Sequence, residues 1–247
     1  MPAFLGLRVQ REYTSFYMRD IRPTPPKNLN PYAQELLDAL AGNPEAAQIV
    51  LGGGVALSHY LEYRGTVDLD AWWRQQANPA TRQLAQRAMG ALATKHGLKF
   101  QLRNWGDTES YELLRDNKKV FSFQISARTS YLDTPRPGHW DPILIETLRD
   151  NVASKMNALV ERGAPRDLRD IHELCTRQIL TCSECWQLWA DKNPERDLQD
   201  GARKVLFHVE RLELQRPLER IISPDERASV TTLRRWFKEV FCDRGTS

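Results

Sequence analysis

Residues 46–73 read AAQIVLGGGVALSHYLEYRGTVDLDAWW, and the fold turns on this stretch. The apolar run from Ala46 to Leu51 ends in Gly52-Gly53-Gly54. The pattern then predicts a helix over Val55–Tyr63 and a strand over Thr66–Trp73. In that strand Val67, Leu69, Ala71 and Trp73 alternate with Thr66, Asp68, Asp70 and Trp72, the period-two signature of a half-buried strand. Asp68 and Asp70 therefore project from one face, with Cα atoms roughly 7 Å apart.

Two carboxylates at that separation repel unless a cation lies between them. Mg²⁺ prefers oxygen ligands and commonly takes one or two carboxylates together with phosphate oxygens of a substrate. The pair reads as a holder for a metal–triphosphate; the plainer reading is a solvated strand face. The glycines point the same way, because backbone N–H groups without side chains approach phosphate oxygens closely and a helix N-terminus adds a favourable field. A tight strand-to-helix turn would want glycine too. Neither G-x-G-x-x-G nor a Gly-Lys-Ser/Thr sequence is present, so this is neither a dinucleotide fingerprint nor a Walker A loop. Thr66 shares the face of the aspartates, and its hydroxyl is placed to donate to a phosphate. Arg64 has two readings, a partner for Asp68 or Asp70 and a contact to nucleotide. Trp72, on the same face, is a candidate to stack on a base.

Outward from this stretch, the four prolines between Arg22 and Pro31 exclude regular helix or central strand, so residues 1–30 read as an irregular arm. Residues 80–96 read as helix, and 98–105, 110–115 and 118–128 as strands. The Pro- and Gly-bearing segment 132–142 is taken as the boundary between an α/β half and a helical half, giving a catalytic domain over 31–140 and a helical domain over 141–247. Within the latter, 143–162, 167–180, 195–215 and 225–242 carry helical periodicity.

Composition bounds the classes. Of 247 residues 41% are hydrophobic, enough for a core, and a net charge of +3 excludes a strongly basic nucleic-acid coat protein. No apolar run approaches the roughly 20 residues of a membrane span. Residues 1–20 lack the apolar stretch of a secretory signal, and a cytoplasmic protein is expected. His172, Cys175, Cys182 and Cys185 form an H-x2-C-x6-C-x2-C array, but the first two fall in a strongly periodic helix, which favours packing cysteines over a zinc site. Arg234, Arg235 and Lys238 cluster near the C-terminus, a solvated face or a contact to RNA phosphates.

The residues 50–57 (VLGGGVAL) followed by Arg64-Gly65-Thr66-Val67-Asp68-Leu69-Asp70 resemble the AbiEii/AbiGii branch of the DNA polymerase β-like nucleotidyltransferases, which is akin to the MenT toxins. The runs 150–162 (DNVASKMNALVER) and 165–171 (PRDLRDI) are similar to that family's second motif, a lysine on an apolar helix followed by Arg-Asp-x-x-Asp. The resemblance implies an α+β fold, a mixed sheet with flanking helices followed by a helical C-terminal half. It implies an Mg²⁺-dependent enzyme moving an NMP from an NTP to a tRNA 3′ end or a protein hydroxyl. Such a protein acts as the toxin of a toxin–antitoxin or phage-defence pair, with a separate antitoxin. In roles, Asp68 and Asp70 hold metal and Gly53, Gly54, Arg64 and Thr66 bind nucleotide. Lys155 holds the triphosphate, and Asp167 is the further acid, as base or as the group orienting Lys155, with Asp170 as runner-up.

Two departures stand out. Val55 occupies the place of the family's Thr or Ser after the glycine pair. The strand 120–126 (VFSFQIS) carries Gln124 and no acid, where many polymerase β-like enzymes have a third carboxylate. These favour an alternative, a degenerate non-catalytic nucleotide- or RNA-binding module on the same fold.

Overall fold

The computed structural model describes residues 21–128 and 130–244. Of the expected N-terminal arm, residues 1–20 lie outside the described residues, and 21–30 carry no helix or strand. The first helix, α1 (Pro31–Leu40), starts where Asn30 caps it, its side chain accepting from the Tyr32 N–H. It buries Ala33, Leu36, Leu37 and Leu40.

Strand β1 (Ile49–Leu51) leads through Gly52 into α2 (Gly53–Ser58), and the chain returns as β2 (Leu69–Trp73). Both elements after the glycines are shorter than the sequence predicts. Helix α2 stops at Ser58, and β2 begins at Leu69, leaving Thr66 and Asp68 on its approach. The limits of β2 follow from its neighbours: it pairs antiparallel with the three residues of β1 and parallel with β5 from Leu69↔Phe123 onward. Helix α3 (Pro79–Lys95), capped by Asn78, precedes an antiparallel meander of β3 (Lys99–Trp105), β4 (Thr108–Arg115) and β5 (Lys118–Ser126). Two short strands, β6 (Arg136–Pro137) and β7 (Leu144–Ile145), close the sheet against β1. Hence α4 (Leu148–Glu161) starts later than the 143 that periodicity predicts, because Leu144 and Ile145 pair with Val50 and Leu51. The order is β3-β4-β5-β2-β1-β7-β6, a mixed sheet.

One sheet face is apolar. Leu69, Ala71, Trp73, Phe121, Phe123 and Ile125 join α1 and α3 in a core. A second core joins α4 to α5 (Pro165–Thr176), α6 (Cys182–Lys192), α7 (Leu198–Gln215) and the terminal helix α8 (Pro224–Trp236) with its π turn through Phe241. Its centre is Met156, Leu159, Ile171, Trp186, Trp189, Val205 and Phe237. Helix α2 belongs to both, sending Val55 and Ala56 into the first and Leu57 into the second. The polar sheet face is thereby set opposite the N-terminal turns of α5 and the middle of α4.

Candidate active site

The three glycines lie beneath three side chains of β2 and its approach. A Cβ on Gly52 would fall 2.2 Å from the Trp72 Nε1, and one on Gly53 would fall 2.2 Å from the Asp70 Oδ2. One on Gly54 would fall 3.0 Å from the Thr66 Oγ1. Gly53 also has φ +57°, the left-handed region that other residues enter at a cost. The Gly54 N–H donates to Asp70. The alternation read from sequence thus meets the glycine turn residue by residue.

Burial raises the Asp70 carboxyl above its ordinary value, and the charge of Asp68 adds to this; Lys155 and Arg166 oppose it without prevailing. Asp68 accepts from the Ser122 hydroxyl at 2.7 Å, and Lys119 Nζ stands 3.4 Å from its second oxygen. Thr66 Oγ1 donates to the Asp68 carbonyl at 3.0 Å. Two neighbouring carboxylates, one of them lifted by burial and by the other's charge, are a donor set a divalent cation would relieve. Among the described residues no group of three or more His, Cys, Asp or Glu is arranged to hold a metal. A Mg²⁺ site here would therefore take two protein carboxylates and complete itself with phosphate or water oxygens, which suits that ion.

Lys155 comes from α4 and is almost fully buried, its Nζ 2.6 Å from the Asp170 Oδ2. Asp170 is wholly buried and also takes Nε and Nη2 of Arg64, at 2.9 and 3.0 Å, and the Tyr63 hydroxyl. Burial alone would raise the Asp170 carboxyl; Lys155 and Arg64 outweigh it and hold the group below its usual range. Arg64 pairs with neither Asp68 nor Asp70, the structural role considered for it from sequence: its guanidinium is held by Asp170 and the Gly65 carbonyl. Asp167 bonds to Arg162 through both oxygens, at 2.8 and 3.0 Å, and accepts from the Ala164 N–H at the start of α5. The carboxylate in contact with Lys155 is thus that of Asp170.

Gly53, Gly54, Arg64, Thr66, Asp68, Asp70, Lys155 and Asp167 all line one cleft of about 640 Å³. Gln124 lines it as well, paired in register with Asp70 on the neighbouring strand. Sequence reasoning passed over Lys119 and Arg162, which, with Arg64, Lys155 and Arg166, make the lining richer in cations than in acids. It also missed a buried brace behind the glycines. Asn151 donates to the Gly53 carbonyl at 2.9 Å and to Glu146 at 2.6 Å. Glu146 is fully buried and also takes the Trp72 indole N–H and Arg128, while Arg128 and Lys192 pair with Asp150. The one signal for it was a lone acid in the apolar run 143–148 (ILIETL). Trp72, a stacking candidate from sequence, is held by this brace, with Arg128 over its ring. Of the histidine–cysteine array, the Cys175 and Cys185 sulfurs lie 3.8 Å apart and His172 packs edge-on against Trp236.

A mixed sheet thus carries paired aspartates over a glycine turn, and a helix brings a buried lysine to the same cleft. Residues 35–234 match the family described as "Nucleotidyl transferase AbiEii toxin, Type IV TA system", and the chain belongs to that family. It is accordingly a nucleotidyltransferase of the toxin–antitoxin class, and the family implies a cognate antitoxin. None of the curated proteins matches the sequence. Among solved structures, an antigenic nucleotidyltransferase-like protein from Paracoccidioides brasiliensis is similar at 14% identity, over 82% of this chain and 93% of that one. The TM-score between the two is 0.36. No helix among the described residues is long and apolar enough to cross a membrane.

Proposed function

We propose that the chain is a Mg²⁺-dependent enzyme that moves an NMP from an NTP to a hydroxyl at a tRNA 3′ end or on a protein. The observation that carries this is the convergence of Asp68, Asp70, the glycine turn and Lys155 on one cleft. Asp68 and Asp70 would hold the metal, which neutralises phosphate charge as it develops. The N–H groups and small profile of Gly53 and Gly54, with the Thr66 hydroxyl, receive the terminal phosphates, and Lys155 anchors the triphosphate. Arg64 steadies the lysine through Asp170 from the rim of the same cleft. The acceptor oxygen attacks the α-phosphate, the bond to the β-phosphate oxygen breaks, and pyrophosphate leaves. Asp167 is the remaining acid of the cleft to receive the acceptor's proton. The cationic lining favours a polyanionic acceptor, hence tRNA over protein. We place the reaction in the cytoplasm, where NTPs and tRNA are found, with the antitoxin encoded separately. The two cores support a division into a catalytic α/β unit and a helical unit closing the cleft.

The test is incubation of the protein with total tRNA, or total protein, and each labelled NTP in turn, with D68A as control. Label in tRNA that is lost in D68A and on chelation supports the reading. No incorporation into either acceptor with any NTP would sink it. That outcome would favour a non-catalytic nucleotide-binding module, for which Gln124 opposite Asp70 speaks.

A further inference from the structure

The polar face of the sheet runs on past the aspartates. In register across four strands stand Trp72, Ser126, Thr108 and Trp105, and beside that row Asp70 faces Gln124. Three strand spacings, roughly 14 Å, separate β2 from β3. Yet Trp105 lines the same cleft as Asp70 and Gly54. It stands at the tip of the β3–β4 hairpin, beside Gly106 with φ +53°, and remains 48% exposed. No core claims it: it belongs to neither apolar cluster, whereas most of the chain's other tryptophans are buried or packed. Between it and Asp70 the cleft lining supplies the Gln124 amide and the hydroxyls of Thr108 and Ser126, which bond to each other at 2.8 Å.

We propose that Trp105 is the platform on which the base of the incoming nucleoside triphosphate stacks. This rests on the nucleotidyl-transfer reading above and adds the direction in which the substrate lies. The phosphates sit at the glycine turn and the α-phosphate at Asp68 and Asp70. The ribose crosses the polar strip over β5, and the base meets the indole at the far end. A half-exposed indole offers any base a face, and Gln124 offers a donor and an acceptor to its edge or to the ribose. Trp72, closer to the aspartates, is not free for this, since its indole is bonded to Glu146 and covered by Arg128.

The experiment is calorimetric titration of the full chain, with Mg²⁺, by each of the four NTPs and by inorganic triphosphate, which has phosphates and no base. W105A and W105F are compared with the parent protein, their folding checked by circular dichroism. The expected result is an NTP affinity reduced roughly 5- to 150-fold in W105A, the range base–aromatic stacking supplies. It is largely restored in W105F, while triphosphate binding is unchanged throughout. If the parent binds NTPs and W105A binds them equally well, the proposal falls and nucleotidyl transfer stands. Equal loss of triphosphate binding in W105A also overturns it, as does weakened binding of tRNA alone, which would make Trp105 an acceptor contact. If the parent protein binds neither NTP nor triphosphate, both readings fall together.

Discussion

The Lys155 ammonium lies 2.6 Å from the carboxylate of Asp170, and Arg64 bonds both oxygens of the same carboxylate. Removing the lysine leaves Asp170 still paired with Arg64 and Tyr63, so the fold should survive. Removing the acid leaves a nearly buried ammonium without its counter-charge. K155M is expected to keep its melting temperature within a few degrees and lose at least about 100-fold in transfer rate, as when one charge-stabilising donor is removed. D170A is expected to lose about 3–5 kcal/mol of stability, the usual cost of breaking a buried pair from one side. Urea denaturation and labelled transfer on both variants check this. The same stability loss in both would contradict it.

Asp167 differs in kind. Its partner Arg162 has a side chain 53% exposed, so solvent screens much of that attraction. D167N should therefore unfold close to the parent, yet lower transfer if the carboxylate takes the acceptor's proton. Labelled transfer by D167N and the parent, measured side by side, decides. A D167N enzyme with the parental rate would remove Asp167 from the chemistry.

Asp70 links function to stability. Its carboxyl is raised above the ordinary 3.8 chiefly by burial, so the folded state binds its proton more tightly than the unfolded chain does. Below pH 3.8 both states are protonated and the group is neutral in effect. As pH rises from there through the raised folded value, stability is lost, and it stays lost above. In metal-free buffer D70N is expected to melt higher than the parent at neutral pH, with the gap closing on acidification. Added Mg²⁺ should stabilise the parent and leave D70N nearly unmoved. Thermal melts with and without chelator measure this, and a D70N protein that melts lower at pH 7 without metal would refute it.

What could be read from the sequence was local. The Asp68–Asp70 pair and the glycines announce themselves through a period of two and a missing Cβ, and Lys155 through its place on an apolar helix. The start of β2 was misjudged because alternation runs on through Thr66, while pairing begins only where β5 offers a partner, at Leu69↔Phe123. Strands β6 and β7 have two residues each, and Arg136-Pro137 has no strand pattern at all; pairing of β7 with β1, and of β6 with β7, makes them strands. The ion pairs of Arg64 with Asp170 and of Arg128 with Glu146 and Asp150 join distant segments with no motif to connect them. Trp105 carries no sequence signal of its own, since exposure is a property of the folded hairpin.

Gly53 should tolerate no side chain. An alanine there meets the Asp70 carboxylate oxygen at 2.2 Å and must also hold φ +57°. The backbone cost alone is roughly 1–2 kcal/mol. G53A is expected to unfold at lower denaturant and to be inactive, because relief requires Asp70 to move. At Gly54 the contact is 3.0 Å, to a threonine hydroxyl that can rotate away, and the backbone is unstrained. G54A should therefore fold almost normally and lose mainly NTP affinity. Parental NTP affinity in G54A would mean the turn does not receive phosphate.

Asn151 tests whether the glycine turn is preorganised from behind. Its amide donates to the carbonyl of the half-buried Gly53 and to the fully buried Glu146. Replacing it with alanine strips a donor from a carbonyl and from a buried carboxylate, at about 1–3 kcal/mol for each group left unsatisfied. Leucine would add bulk beside Gly53 as well, so alanine is the cleaner probe. Asn151 does not itself line the cleft and reaches it only through the Gly53 carbonyl, so a purely structural role would lower stability and leave kinetics alone at temperatures well below melting. If instead it fixes the orientation of the phosphate-facing N–H groups, N151A should raise the KM for NTP several-fold with a smaller change in kcat. N151Q, a longer amide, should not restore the parental value, because the two acceptors are set for the shorter side chain. Steady-state kinetics at 20 °C below the melting temperature of the variant distinguish these outcomes, and an unchanged KM would reduce Asn151 to a packing residue.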